Sequence, residues 1–220
     1  LRRNKSILWL SIVLLFAGCA YYPVNPKLSH FDDKNGYRFE NLPATAENSD
    51  KVFVVLTFSG GGTRAAALTY SVLRQLSNTV VYIDGKPRRL LDEVDVISSV
   101  SGGSFTAAYY ALYGDRIFSD FEARFLKKDI QGALKWRLFS PINWVRLASP
   151  TFSRIDMAAE YYDRYIFDYH TFGDLAKKGH RPFITINATD MSLGARFEFS
   201  QDQFDWLYSN LSGVSVARAV

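Results

Sequence analysis

Two apolar runs in this chain stop abruptly at glycine. Val52-Phe53-Val54-Val55-Leu56-Thr57-Phe58 is almost continuous in β-branched and aromatic residues, and it ends at Ser59-Gly60-Gly61-Gly62-Thr63-Arg64. A run with so little polar alternation predicts a parallel strand buried on both faces. Past the glycines, Ala65, Ala66, Ala67, Leu68, Tyr70, Leu73 and Leu76 form a helical stripe. The arrangement then repeats. Val94 to Ser99 predicts a buried strand, Val100-Ser101-Gly102-Gly103 a sharp turn, and Ser104 to Tyr113 an apolar helix. Pro182 to Asn187 supplies another strand and Arg196-Phe197-Glu198-Phe199 one more, while Asp84-Gly85-Lys86 reads as a hairpin turn. Between them, Phe118 to His170 is helical in pattern, rich in aromatics and broken by Pro141 and Pro150. Strands alternating with helices imply an α/β fold with a mainly parallel central sheet flanked by helices.

The first residues follow a different logic. Leu-Arg-Arg-Asn-Lys is a positive head, and Ile7 to Gly18 is an apolar stretch whose only hydroxyl residue is Ser11. About 12 residues make a helix of about 18 Å, whereas crossing a bilayer core takes roughly 20 residues. The length suits the apolar region of a signal peptide. It closes on Leu15-Phe16-Ala17-Gly18-Cys19-Ala20, which resembles a bacterial lipoprotein signal with Phe16 where leucine is usual. That resemblance implies acylation of Cys19, which then becomes the mature N-terminus. Two or more acyl chains hold a protein at a membrane where one does not. Cys19 is the only cysteine, so a disulfide framework is excluded and lipidation gives the thiol a purpose. The competing reading is an ordinary cleaved signal with an incidental cysteine. Ala20 stands where aspartate would signal inner-membrane retention, so the resemblance points to an outer-membrane lipoprotein facing the periplasm of a bacterial envelope. The chain thus divides into a signal peptide (1–19), a Pro-, Asn-, Asp- and Ser-rich tether and lead-in (20–51), and the domain proper (52–220).

Composition narrows the classes. The chain has 220 residues, 48% of them hydrophobic and 15% aromatic, enough for one domain with a substantial core. The formal charge of +4 loses its meaning once Arg2, Arg3 and Lys5 are assigned to the leader, leaving 23 basic against 22 acidic residues. No remaining Lys and Arg run tracks a phosphate backbone, so nucleic acid is not an expected partner. No His, Cys or carboxylate group has metal-ligand spacing, and no cofactor is called for.

The chemistry sits in the two turns. Ser99-Val100-Ser101-Gly102-Gly103 is a close variant of the G-x-S-x-G nucleophile elbow, with Ser99 in place of the first glycine. Such a serine is held in a strained backbone conformation at the top of a sheet, and residues two positions to either side must be small to avoid crowding. The helix that follows aims its N-terminus at Ser101, favouring an anionic intermediate. A plain strand-to-helix turn capped by Ser98, Ser99 or Ser104 is the simpler alternative. Gly60-Gly61-Gly62 lets successive backbone amides turn toward one point, which serves either a phosphate or an oxyanion. Thr63-Arg64-Ala65 lacks the lysine and hydroxyl pair of a P-loop, and Ala65 breaks the dinucleotide fingerprint. An oxyanion hole remains, with a simple tight turn as its rival.

Taken together, Ser59-Gly60-Gly61-Gly62-Thr63-Arg64 and Ser99-Val100-Ser101-Gly102-Gly103-Ser104 resemble the patatin-like phospholipase family. Its hallmarks are a D-G-G-G-x-R-G loop followed by a G-x-S-x-G elbow at similar spacing. The resemblance runs from Val52 to the end and takes in Asn187-Ala188-Thr189-Asp190 and Val216 to Val220. It implies a three-layer α/β architecture and a Ser-Asp dyad. Ser101 is then the nucleophile, Gly60, Gly61 and Gly62 form the oxyanion hole, and Arg64, Gly102 and Gly103 support the motifs. Lipid esters of phospholipase A or lysophospholipase type are the implied substrates, so membrane lipids serve as substrate as well as anchor.

The family's aspartate lies in Asp-Gly-Gly or Asp-Gly-Ala, and neither occurs here. Asp84 belongs to a hairpin turn and Asp190 to the end of a strand. The base is therefore expected beyond Val220, and the domain is read as lacking its C-terminal part. His30 falls in the lead-in, His170 in an aromatic helical region and His180 in a loop before Arg181-Pro182, so a triad through His180 is the weaker arrangement. The stretch holding Phe118, Phe121, Phe125, Leu126, Trp136, Leu138, Phe139, Trp144 and Leu147 is interleaved with Lys127, Lys128, Lys135 and Arg137. The plainer reading has these helices packed on the sheet. The other is a cap that faces lipid. The functional alternative is a non-catalytic, membrane-anchored lipoprotein that keeps the fold and binds lipid or protein.

Overall fold

A computed structural model describes residues 25–220. The signal peptide and Cys19 lie outside the described residues. Strands β1 (Val54–Phe58), β4 (Val94–Val100), β5 (Phe183–Asp190) and β6 (Ala195–Glu198) form one sheet in the order β1-β4-β5-β6. The first three are parallel, and β6 returns antiparallel to β5. A separate hairpin pairs β2 (Val80–Ile83) with β3 (Lys86–Arg89). Asp84 and Gly85 both take positive φ at its turn, the geometry expected of an Asp-Gly hairpin. Helices α1 (Gly62–Ser77) and α2 (Gly102–Tyr113) follow β1 and β4, completing an α/β fold with a mostly parallel sheet.

Helix α2 is apolar around its whole circumference, and every residue from Gly102 to Ala111 is buried. A helix without a polar face belongs inside. Phe105 stacks on Phe125 at 4.5 Å between ring centroids and meets Tyr162 edge-on at 4.9 Å. Tyr109 packs on Phe121 at 4.8 Å, and the Thr106 hydroxyl ties α2 to α1 by donating to the Ala66 carbonyl at 2.9 Å.

Strand β1 differs from expectation. Phe58 is buried and Val54 and Leu56 partly so, but Val55 and Thr57 are exposed. The apolar run therefore buries one face. In the described sheet β1 has a single neighbour, β4, and its alternate side chains point away from the core.

The segment between residue 25 and β1 has no regular periodicity yet lies against the sheet. Phe183–Thr185 has β4 on one side only, because the β6 strand and the Phe199 amide that follows it bond no further back than Ile186. Tyr37 covers that free edge: its buried hydroxyl accepts the Ile184 amide at 2.8 Å. An otherwise orphaned strand donor is thereby satisfied. At the N-terminal ends of the strands, fully buried Asp95 accepts from the Val54 amide (2.8 Å), the Arg181 guanidinium (2.6 Å) and the Asn48 amide (3.2 Å). A buried charge requires such partners.

The rest is helical: α3 (Ile117–Phe121) running into a π-helical turn (Glu122–Leu126), α4 (Ile130–Leu138), α5 (Pro141–Leu147), α6 (Arg154–Tyr162) and α7 (Phe172–Lys178). Short α8 (Gln201–Asp205) and α9 (Val216–Ala219) close the described chain. Pro141 starts α5 at its first turn, where a missing amide hydrogen costs nothing. The aromatic stretch divides. Phe121 and Phe125 are in the core as sheet-packing helices require, but α4 and α5 bury no residue at all. For those two helices, packing on the sheet is not what the structure shows.

Candidate active site

Strand β4 delivers Ser101 to a turn at its C-terminal end, and α2 begins one residue later. Ser101 has φ 52° and ψ −125°, a conformation an L-residue adopts only under local constraint. The Ser104 amide closes the turn onto the Ser101 carbonyl at 2.8 Å. The Ser101 side chain is exposed and makes no hydrogen bond among the described residues.

The glycine loop is packed directly on this turn. A Cβ on Gly60 would lie 3.3 Å from the Ser101 Cβ and 3.8 Å from its Oγ. A Cβ on Gly102 would meet the Gly62 carbonyl oxygen at 2.2 Å, and one on Gly103 would meet the Phe58 Cβ and the Ser59 carbonyl at 2.8 Å. The nearest obstacles to a side chain at these positions of the elbow are thus the neighbouring glycine loop and the end of β1. Ser99 shows the same point from the other side. It is buried, and its hydroxyl donates to the Thr185 carbonyl on β5 at 3.0 Å, so the site accepts a hydroxymethyl there with its polar atom satisfied. Gly61, at φ 139°, precedes α1, and the Ala65 Cβ would lie 3.3 Å from any side chain placed on it.

Two helices therefore start at one point. Gly62 opens α1, Gly102 opens α2, and the two residues touch. First-turn amides lack intrahelical partners and carry the positive end of the helix dipole, so the junction favours negative charge.

A cavity of about 380 Å³ opens over Ser101. Besides Ser101 it is lined by Gly62, Thr63 and Gly102, by the apolar side chains of Phe105, Phe125, Ile130, Leu134 and Tyr162, and by Lys128, Asp129 and Gln131. Burial raises the Tyr162 phenol above its ordinary range, so it stays protonated at neutral pH. The lining is mixed: apolar side chains stand beside Ser101, Thr63 and the polar groups of Lys128, Asp129 and Gln131.

The remaining sequence candidates are elsewhere. Arg64 is in the first turn of α1, exposed, and outside the cavity lining. Asp190 accepts the Ser192 amide at 2.7 Å in the β5–β6 turn. His170 pairs with Asp174 and His180 bonds the Arg181 carbonyl, and neither lines the cavity. Asp129 is the one carboxylate of the lining, and it caps α4 by accepting the Gly132 amide at 2.8 Å. No group of three or more metal-ligating side chains is assembled among the described residues.

Asn187 is a support that sequence reasoning missed. It faces Val100 across the β4–β5 ladder and donates to the Ser99 carbonyl at 2.9 Å and the Ser98 hydroxyl at 3.1 Å, holding the strand end beneath the turn. Its place in a recognised strand segment was visible, but its partners come from a strand some ninety residues earlier.

An α/β sheet that lifts a serine on a strand-to-helix turn is an arrangement used by lipid and ester hydrolases. The chain belongs to the patatin-like phospholipase family, whose description it matches over residues 56–217, from within β1 to within α9. No curated protein and no solved structure was found to match it. Members of the family are esterases and phospholipases, and the domain supports lipid acyl hydrolase activity in general.

Proposed function

We propose that the chain hydrolyses carboxylic esters of phospholipids or lysophospholipids with Ser101 as nucleophile. The observation that carries this reading is the strained Ser101 backbone with the Gly60-Gly61-Gly62 loop packed so closely on its turn that a Cβ on Gly60 would lie 3.3 Å from the Ser101 Cβ. The Ser101 Oγ attacks the acyl carbonyl while its proton passes to a carboxylate base. Amides of the glycine loop and the two helix N-termini stabilise the oxyanion. The ester C–O bond then breaks, the base returns the proton to the leaving alcohol, and water attacks the acyl-enzyme to release the fatty acid. One oxyanion donor in such a site is typically worth about 3 kcal/mol.

The described carboxylates offer Ser101 no hydrogen-bonded partner, and Asp84 and Asp190 are engaged in turns. We assign the base to an aspartate following Val220, in the Asp-Gly-Gly or Asp-Gly-Ala context that the family resemblance implies. We also place the protein at the bacterial outer membrane, facing the periplasm through acylated Cys19. Mass spectrometry of the N-terminal peptide tests the acylation.

The test of catalysis is labelling of the complete natural chain with a serine-directed phosphonate. Stoichiometric modification of Ser101, lost in Ser101→Ala, is the expected result. A folded natural chain that takes no label would reverse the assignment and favour a non-catalytic lipoprotein that binds lipid or protein, a reading supported by the unpartnered Ser101 hydroxyl.

A further inference from the structure

The α4–α5 hairpin is built on the opposite plan from the core. Trp136 is 77% exposed, Phe139 69%, Ile142 74%, Trp144 58% and Val145 62%. Large apolar side chains so concentrated and so open mark a surface that meets something. The hairpin is nonetheless held in shape. The Asn143 amide donates to the Arg137 carbonyl at 2.7 Å, the Trp144 indole donates to the Leu138 carbonyl, and the Trp136 and Phe139 rings meet at 6.0 Å.

Between Asp129, which caps α4, and Asp156 in α6, the charge is one-sided: the hairpin holds Lys135, Arg137 and Arg146, Arg154 follows at the start of α6, and there is no carboxylate. Arg146 is neutralised by Glu160, and Arg137 lies over the Tyr161 ring at 5.2 Å, but Lys135 and Arg154 are exposed without an ion pair among the described residues. Exposed tryptophans flanked by uncompensated cations match an interface that is apolar inside and anionic at its rim. No described helix is long and apolar enough to cross a membrane, so the hairpin would lie in the interface and not span it.

The hairpin is also continuous with the cavity. Ile130, Gln131 and Leu134 of α4 line the trough over Ser101, while Trp136 and Leu138 lie on the next turn of the same helix. We propose that the α4–α5 hairpin is a bilayer-docking element. It seats Trp136, Phe139, Ile142 and Trp144 among the headgroups of an anionic membrane and presents the mouth of the cavity to lipid. This deepens the hydrolase reading and rests on it for the role of the cavity, but the docking itself is independent of Ser101.

The test uses the complete natural chain and its tryptophan fluorescence with vesicles carrying brominated acyl chains. Trp206, joined by Trp9 where the leader is retained, forms the background, which a Trp136→Phe/Trp144→Phe variant measures. Quenching above that background in phosphatidylglycerol vesicles is expected, whether or not Cys19 is acylated. Lys135→Gln/Arg154→Gln should shift the insertion equilibrium outward by about 30-fold, from the contribution of each cation at an anionic surface. Equal quenching in the natural and Trp→Phe chains would overturn the proposal. So would concentration-dependent self-association that shields Trp136 from an aqueous quencher in the presence of the same lipids, since the occupant would then be a second copy. Hydrolysis of a soluble short-chain ester, measured alongside, separates the two claims. Lost hydrolysis with retained quenching overturns the catalytic reading alone, and the converse overturns only the docking.

Discussion

A Cβ atom placed on Gly102 would lie 2.2 Å from the carbonyl oxygen of Gly62, so the first residues of two helices meet with room for hydrogen and nothing larger. Because the obstacle is backbone, it cannot swing aside as a side chain would. Gly102→Ala should cost about 2–3 kcal/mol by overpacking and abolish phosphonate labelling of Ser101. Gly62→Ala has no steric obstacle within 4 Å but must adopt φ 61°. It should cost only about 1 kcal/mol. Urea denaturation of both variants distinguishes steric from conformational demand.

Ser101 holds φ 52° without being glycine. Ser101→Gly should therefore raise stability by about 1 kcal/mol over the natural chain while removing all labelling. Ser101→Ala should be equally inert without that gain. Matched melting curves would argue against stored strain at the turn.

Asp95 is fully buried and shared by Val54, Asn48 and Arg181 at the sheet end away from Ser101. Asp95→Ala leaves the Arg181 guanidinium with exposed Asp50 as its one remaining ion pair among the described residues, beside the Leu42 carbonyl, and frees the partly buried Val54 amide. The expected loss is about 3–5 kcal/mol, the range for breaking a buried pair on one side. Denaturant unfolding gives the value, and a loss under about 1 kcal/mol would mean that solvent reaches the site.

Asp156 ties α6 to α9. Burial pushes its carboxyl up, but the Ser153 hydroxyl, the Arg218 guanidinium and the Ser153 amide outweigh this and bring it down to about 2. A folded-state value below the unfolded one of about 3.9 means that the stabilisation is complete above pH 4 and is lost as pH falls toward 2. After solvent screening the amount is about 1–2 kcal/mol. Stability measured from pH 6 to pH 2 should decline less steeply in Asp156→Asn than in the natural chain.

Asn187 supports the turn without lining the cavity. Asn187→Ala should cost about 1–2 kcal/mol of stability. It should also lower kcat for a soluble ester with KM little changed, since it loosens the serine and not the substrate trough. A change confined to KM would place Asn187 in binding instead.

Much of the site was legible because its signals are local. An apolar strand, a turn that excludes side chains and an apolar helix occupy consecutive residues from Val94 to Tyr113, and each step constrains the backbone directly. The Asp84-Gly85 turn and the strand end at Asp190 were readable for the same reason. The one-sided burial of Val55, the docking of Tyr37 on the edge of β5 and the support from Asn187 were not, since each depends on what lies beside a residue in space. The aromatic stretch shows the limit most clearly. Phe125 and Trp136 read alike in sequence, yet one is in the core and the other in the open.

By itself, then, the sequence determined the alternation of strands and helices, the two glycine-bounded turns and the family to which they belong, because periodicity and steric exclusion act over a few neighbouring residues. Only the tertiary structure decided that the two turns touch, that Gly102 has room for hydrogen alone beside the Gly62 backbone, and that an aromatic hairpin faces outward beside the cavity. Burial and contact are properties of the packed chain, set by residues that may be ninety positions apart.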